Sequence, residues 1–130
     1  MFTVTFPAPP KDLTPNARMA LTNPRRAAGR LSRLKREFEG HVGAAVLLAY
    51  PNQDWPRMLQ VKGTVTFTYG DRIARDIDNL FFACKRAIDH IVTLGVVPDD
   101  GPENIVEWTL RYRVVRGVTP HVTLTLEEVA

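Results

Sequence analysis

Three aspartates stand in two short motifs that together could hold a metal ion. Asp76 and Asp78 lie in the segment RDIDN, and Asp100 ends the segment PDD. If the chain is extended at RDIDN, residues two apart point to the same side, so both carboxylates can face one ion. Carboxylate oxygens suit Mg²⁺ or Mn²⁺, whereas Zn²⁺ prefers His and Cys. Magnesium also retains water that can attack a phosphodiester, so these residues predict a site that cuts a nucleic-acid backbone.

Lys85 adds a cation to this set. It lies seven residues after Asp78, and seven helical steps of about 100° return to within ~20° of the same direction. We therefore expect Lys85 on the metal side of a helix that begins at or just after Asp78. Its ammonium could stabilise charge on the reacting phosphate, and Asp89 can hold it through an i,i+4 pair. Taken singly, these features are more often a helix cap, a turn and a surface lysine; their combination favours a site.

The length and composition predict one folded domain spanning residues 1–130. The chain is 45% hydrophobic and 24% charged, as in ordinary folded proteins. Its single cysteine, Cys84, excludes an intramolecular disulfide and a metal site of paired thiolates. The first residues lack a signal-peptide pattern, and the longest apolar run is far shorter than the ~20 residues that span a bilayer. We expect a cytoplasmic protein without a membrane segment.

The elements that must position the aspartates follow from the hydrophobic pattern. Alternating apolar residues predict strands, and apolar residues three or four apart predict helices. The predicted elements are strands at 2–6, 61–69, 106–114 and 122–126, and helices at 24–49, with a bend near Gly40 and Gly43, and at about 79–94. This β-α-β-α-β-β order indicates a single α+β domain with a mixed sheet packed by two helices. Asp100 reaches the other aspartates only if the chain folds back along 96–98.

The joined motif RDIDNL…K…D…G…PDD, over residues 75–100, resembles the RusA-type Holliday-junction endonucleases. The strand ending in prolines, FTVTFPAPP, and the loop LTPNAR support the resemblance. It implies a RusA-like fold and a homodimeric, Mg²⁺-dependent resolvase, frequently phage- or prophage-encoded, that cuts opposite strands of four-way DNA junctions. By this resemblance Asp76, Asp78 and Asp100 bind the metal and Lys85 is the catalytic lysine. We expect no organic cofactor.

The position of the lysine departs from the family pattern. Better-known members carry it four residues after the second aspartate, where this chain has Phe82. Counting back from PDD, the segment KRAID matches the family's K-x-x-x-D, and FFAC carries three extra residues. Lys85 would therefore lie about one helical turn further from the metal.

Several arginines are candidates for binding DNA. The net charge of +3 is mildly basic and does not by itself establish a nucleic-acid partner. Arg72 and Arg75 lie beside the carboxylates and could grip the scissile strand, or could simply balance the acidic charge. The resemblance suggests Asn16 and Arg18 as further contacts. The arginines of the first helix form either a phosphate-tracking face or a solvated surface: Arg25, Arg26, Arg30 and Arg33.

Three functions remain open from the sequence. The first is a junction resolvase, a phosphodiester hydrolase acting in DNA recombination and repair. The second is a RusA-like DNA-binding protein without catalysis, which Phe82 at the usual lysine position supports. The third is a nuclease that acts on flaps, forks or plain duplex DNA.

Overall fold

The computed structural model describes residues 1–13 and 24–129, with side chains in the first long helix described from residue 28 onward. Its elements, in chain order, are β1 (Phe2–Pro7), a 3₁₀ turn (Lys11–Leu13), α1 (Pro24–Ala49), β2 (Val61–Tyr69), α2 (Ile77–Ala83), α3 (Lys85–Thr93), β3 (Ile105–Val114) and β4 (His121–Glu128). None of the helices in these ranges is long and apolar enough to cross a membrane.

The four strands form one mixed sheet in the order β1-β4-β2-β3. The strand β4 lies between β1 and β2 and is antiparallel to both, whereas β3 is parallel to β2. Parallel neighbours need a long crossover, and here α2 and α3 supply it. The arrangement confirms the predicted single α+β domain and its mixed sheet. Its element order differs from the predicted β-α-β-α-β-β in that two helices, α2 and α3, replace the second predicted helix.

The core lies on one face of the sheet. The alternating apolar residues of β1, β2 and β4 are buried there, and Phe38, Val42 and Val46 of α1 join the same cluster. The opposite face carries threonines, which pair between strands: Thr5 Oγ1 lies 3.0 Å from Thr123 Oγ1. This division follows from the period-two alternation, which places successive side chains on opposite faces.

The helix predicted at about 79–94 forms within two residues of those bounds, but its predicted continuity is wrong. It begins at Ile77 and is divided at Cys84 into α2 and α3. The backbone of Cys84 stays right-handed, at φ −84° and ψ 0°, but bonds there span three residues: the N–H of Cys84 reaches Phe81 O at 3.0 Å, and that of Ala87 reaches Cys84 O at 2.9 Å. Such bonds tighten a helical turn. The break therefore falls within FFAC, to which the resemblance assigns three extra residues.

The long helix α1 agrees with its predicted bounds. It runs as one helix from Pro24 to Ala49, without interruption at Gly40 or Gly43. Its last residues lead into Tyr50, whose ring stacks on Phe2 of β1 with centroids 5.3 Å apart. This contact ties the end of α1 to the first strand of the sheet.

Candidate active site

Asp76 and Asp78 lie at the start of α2, and both are exposed. Asp76 is the N-cap residue, with an extended backbone (φ −84°, ψ 124°), and Asp78 lies in the first turn. Negative charge is favourable at a helix N-terminus because unpaired N–H groups point outward there. The condition that the chain is extended through both aspartates is not met, because the helix begins at Ile77 between them. The period-two argument therefore does not fix where the two carboxylates point.

A side-chain hydrogen bond supports the conformation of this turn. Asn79 donates from Nδ2 to Asp76 Oδ2 at 3.4 Å. The backbone N–H of Leu80 donates to the carbonyl oxygen of Asp76 at 3.1 Å, which closes the first turn of α2. The D-x-D-N segment thus has a local structural role at the helix start, whatever else it binds.

Lys85 and Asp100 form an ion pair, in which Lys85 Nζ donates to Asp100 Oδ2. Lys85 Nζ also lies 3.9 Å from Asp89 Oδ1, which confirms the predicted i,i+4 pair. The ion pair between Lys85 and Asp100 forms because the chain folds back after α3. In the returning segment Val96 and Val97 are buried, and the N–H of Met58 bonds to Val96 O at 2.8 Å. The chain therefore folds back along 96–98, which the sequence permitted but did not require, and this brings Asp100 to Lys85 at the start of α3.

The ion pair stabilises the ionised form of Asp100. The hydrogen bond from Lys85 holds the pKa of this carboxyl below its usual value, although partial burial opposes the shift. The N–H of Asp100 also donates to Asp99 Oδ1 at 2.8 Å, which orders the PDD turn. Asp100 is therefore ionised at neutral pH, with Lys85 as its counterion.

The three predicted metal ligands do not form a single cluster. Within residues 1–13 and 24–129, no three His, Cys, Asp or Glu side chains lie close enough together to hold a metal ion. The ligand chemistry of Asp76, Asp78 and Asp100 fits Mg²⁺ or Mn²⁺, since all three offer carboxylate oxygens. The Mg²⁺ site stays a prediction.

Two cavities adjoin the candidate residues. The larger, of about 640 Å³, is lined by Tyr69, Arg75, Asp76 and Asn79, by prolines at and just after the end of β1, and by a proline of the β3–β4 turn. Its size is in the range of ligand-binding clefts. The smaller, of about 300 Å³, is lined by Phe82, Lys85 and other residues of α3 and the 3₁₀ turn. Asp76 and Lys85 thus line different cavities.

Arg75 is held by a cluster of protein groups next to Asp76. Its Nη1 donates to Asp71 Oδ1 at 2.9 Å, to Tyr112 Oη at 3.0 Å and to the carbonyl oxygen of Ile73 at 3.2 Å. Its guanidinium lies 3.8 Å from the centroid of the Tyr69 ring, a cation–π distance. Hydrogen bonding to Asp71 raises the pKa of Arg75 and lowers that of the Asp71 carboxyl. Arg75 is therefore ion-paired with Asp71, which is not one of the predicted metal ligands.

This cluster is the main feature that the sequence did not reveal. The i,i+4 spacing of Asp71 and Arg75 is a signal that could have found one contact. Nothing in the sequence pairs Tyr69 with Tyr112, whose rings stack with centroids 5.8 Å apart. That contact depends on the parallel register of β2 and β3, which places Tyr112 beside Phe67.

The remaining candidate arginines have different surroundings. Arg72 and Arg33 are exposed, and neither makes an ion pair within the described part of the chain. Arg30 pairs with Asp12 of the 3₁₀ turn. Arg18, with Asn16 beside it, lies outside the described residues, as do the side chains of Arg25 and Arg26. The DNA-binding roles of these arginines stay predictions.

No protein-family model matches this chain, and no curated protein matches it significantly. The resemblance to RusA-type endonucleases therefore stays an inference from the motif over residues 75–100. The contacts of the residues themselves are the basis for a functional proposal.

Proposed function

We propose that this chain is a Mg²⁺-dependent, structure-selective DNA endonuclease that resolves four-way junctions by phosphodiester hydrolysis, in DNA recombination and repair. The observation that carries the proposal is the ion pair between Lys85 and Asp100. These two members of the motif are fifteen residues apart, and their spacing alone permits but does not require a contact. Asp76 and Asp78, exposed at the start of α2, add two carboxylates that a ligand can reach.

Each residue of the motif has a proposed role. Asp76, Asp78 and Asp100 would hold Mg²⁺, for which Mn²⁺ can substitute. When bound, Mg²⁺ would withdraw charge from the phosphate oxygens and acidify a water molecule. In the structure Lys85 neutralises Asp100. A metal cation at Asp100 would therefore compete with the ammonium of Lys85 for the same carboxylate. Released from Asp100, Lys85 Nζ would donate to a phosphate oxygen and stabilise the negative charge that develops there.

The proposed partner is branched DNA, bound by a homodimer. Arg72 and Arg33 are exposed cations that can contact phosphates, which dominate the affinity of proteins for DNA. Arg75 would act through the fold, because its contacts hold the segment that leads into Asp76. A cytoplasmic location is part of the same proposal.

The second candidate function is DNA binding without catalysis. Two observations favour it. The candidate carboxylates do not gather into a three-ligand group among the described residues. Phe82, at the usual position of the family's lysine, is 49% exposed and lines the cavity that contains Lys85. A protein that kept the fold and lost the chemistry would show both features.

The proposal is tested with purified protein, Mg²⁺ and synthetic four-way junctions. We expect paired nicks on opposite strands from the natural chain and none from Asp78→Asn, which removes one proposed ligand charge. Asp54→Asn is the matched control, because Asp54 is exposed in the segment after α1. Its activity should equal that of the natural chain. Intact junctions with the natural chain, and no difference between it and Asp78→Asn, would reject the proposal.

A calorimetric titration separates the two candidates. Heat on adding Mg²⁺ or Mn²⁺, lost in Asp78→Asn, supports the nuclease. Junction binding that needs no metal, with no heat on metal addition, supports the non-catalytic protein. A panel of flaps, forks and duplexes tests selectivity, since cleavage of those substrates in preference to junctions would indicate a different nuclease.

A further inference from the structure

The two edge strands of the described sheet are protected differently. At one edge, the N–H of Ala8 points toward β4, so the backbone groups of Thr3, Thr5 and Pro7 point outward. The outward N–H of Thr3 donates to the hydroxyl of Tyr50 at 3.2 Å, and Pro7 has no N–H. Two of these three positions in β1 therefore cannot donate to another strand, a common way to protect an edge.

The other edge, β3, lacks these protections. It has ten residues and no proline. The N–H of Val115 bonds to Tyr69 O of β2 at 2.9 Å, so alternate residues point their N–H and C=O groups away from β2. These residues are Trp108, Leu110, Tyr112 and Val114. An edge of this length is a template for pairing with another chain.

The sequence of β3 is complementary to itself when two copies run antiparallel. The complementarity appears when Leu110 lies opposite Leu110 of a second copy. The other pairs are then Val106 with Val114, Glu107 with Arg113, Trp108 with Tyr112, and Thr109 with Arg111. The outward-pointing residues Trp108, Leu110 and Tyr112 then oppose outward-pointing residues, which is the condition for exchanging antiparallel backbone hydrogen bonds. The register of β3 against β2 is irregular near Val106, so the regular part of the pairing runs from Glu107 to Arg113.

Both faces of this pairing are chemically matched. On the face that the helices cover, it places Trp108 opposite Tyr112 and Leu110 opposite Leu110, and all three side chains pack against the core of their own chain. On the other face, it places Glu107 opposite Arg113 at a non-hydrogen-bonded position, where Cα atoms are only about 4.5 Å apart. Opposite charges directly across from each other stabilise a strand pair, and like charges destabilise it.

We propose that β3 is the homodimer interface, at which it pairs antiparallel with β3 of a second copy around a two-fold axis through Leu110. The two four-stranded sheets then form one continuous sheet. An interface of this kind is isologous, since the same strand contributes from both sides. The inference concerns the assembly of the chain and does not depend on nuclease activity.

Charge reversal tests both the interface and its register. Arg113→Glu places Glu opposite Glu at both ends of the strand pair, and Glu107→Arg places Arg opposite Arg. Each variant alone should weaken the dimer at least about tenfold, because two attractive pairs become repulsive. An equimolar mixture of the two variants should recover the dimer, since each heterodimer restores both opposite-charge pairs.

The measurement is sedimentation equilibrium over a range of protein concentrations, with circular dichroism to verify folding. Arg116→Glu is the matched control: this arginine is exposed just beyond β3, and its reversal should leave the dimer intact. Glu107→Arg also removes an exposed contact with Lys62, at 3.5 Å, which contributes little. The mixture controls for that loss, because recovery shows that both variants still fold.

The proposal is overturned if the natural chain is monomeric at every concentration. It is also overturned if the dimer persists in both variants, or if the mixture stays monomeric while each variant is folded. Dissociation by Arg111→Glu but not by Arg113→Glu would overturn the register, because Glu107 would then face Arg111. None of these results depends on DNA cleavage, so they are independent of the junction assay.

Discussion

Replacing Arg75 by alanine should destabilise the fold, although this residue lies beside the candidate active site. The substitution removes the hydrogen bonds from Nη1 to Tyr112 Oη at 3.0 Å and to Ile73 O at 3.2 Å. It also removes the guanidinium that lies 3.8 Å from the Tyr69 ring centroid. The side chain of Arg75 is only 20% exposed, so water replaces these contacts poorly.

The expected loss is about 2 kcal/mol in the free energy of unfolding. Each of the two hydrogen bonds contributes about 1 kcal/mol, and the cation–π contact adds about 0.5–1 kcal/mol. The contacts share one group, so they are not fully additive. The ion pair with Asp71 is omitted because that carboxylate is exposed to solvent. For a chain of this length, the loss lowers the melting temperature by about 8 °C.

Thermal and urea unfolding of the DNA-free protein provide the assay. Arg72→Ala is the matched control, because Arg72 is exposed and should change stability by less than about 0.5 kcal/mol. In DNA-binding measurements the order should reverse, with Arg72→Ala weakening binding while the protein stays fully stable. An Arg75→Ala protein as stable as the natural chain, or one no less stable than Arg72→Ala, would refute the reasoning.

Three further predictions concern other contacts. Lys85→Gln should raise the pKa of Asp100 toward its usual value and cost about 0.5–1 kcal/mol, a small effect because Lys85 is 57% exposed. The ion pair lowers the pKa of Asp100 in the folded state, so its contribution to stability is present at neutral pH and is lost as the pH falls through that pKa. Identical acid unfolding curves for the natural chain and Lys85→Gln would contradict this prediction. Gly70→Ala should cost about 1–3 kcal/mol, because the new Cβ would meet a carbonyl oxygen of the β3–β4 turn, whereas Gly40→Ala, with open space around it, should not destabilise in the same urea titration. Burial raises the pKa of the Cys84 thiol to about 12. A thiol reagent should therefore modify Cys84 only as fast as the protein unfolds. Rapid labelling of the native protein would contradict this prediction.

The periodic segments of the sequence predicted most of the fold. The bounds of α1 and β2 agree with the hydrophobic pattern, because each element buries one face and its apolar residues follow the period of that element. The break at Cys84 was not predictable in this way. The two segments pack on different elements, α2 on β3 and α3 on α1. Phe81, Cys84 and Ile88 would fit a single helical stripe equally well.

The candidate site shows the same limit. Helical spacing predicted the contact between Lys85 and Asp89, since neighbours four residues apart meet on any helix. The contact between Lys85 and Asp100 required the chain to turn back after α3, and burial of Val96 and Val97 stabilises that turn. Local spacing carries no information about this return path.

The sequence by itself determined which residue types could do chemistry here and which elements carry them. Asp76, Asp78, Lys85 and Asp100 have carboxylate and ammonium chemistry whatever their surroundings. The tertiary structure alone decided their partners: Asp100 meets Lys85, and Arg75 is held by the tyrosines of two neighbouring strands. The physical reason is that secondary structure follows from local periodicity, whereas side-chain partners depend on strand register and on how connecting segments pack.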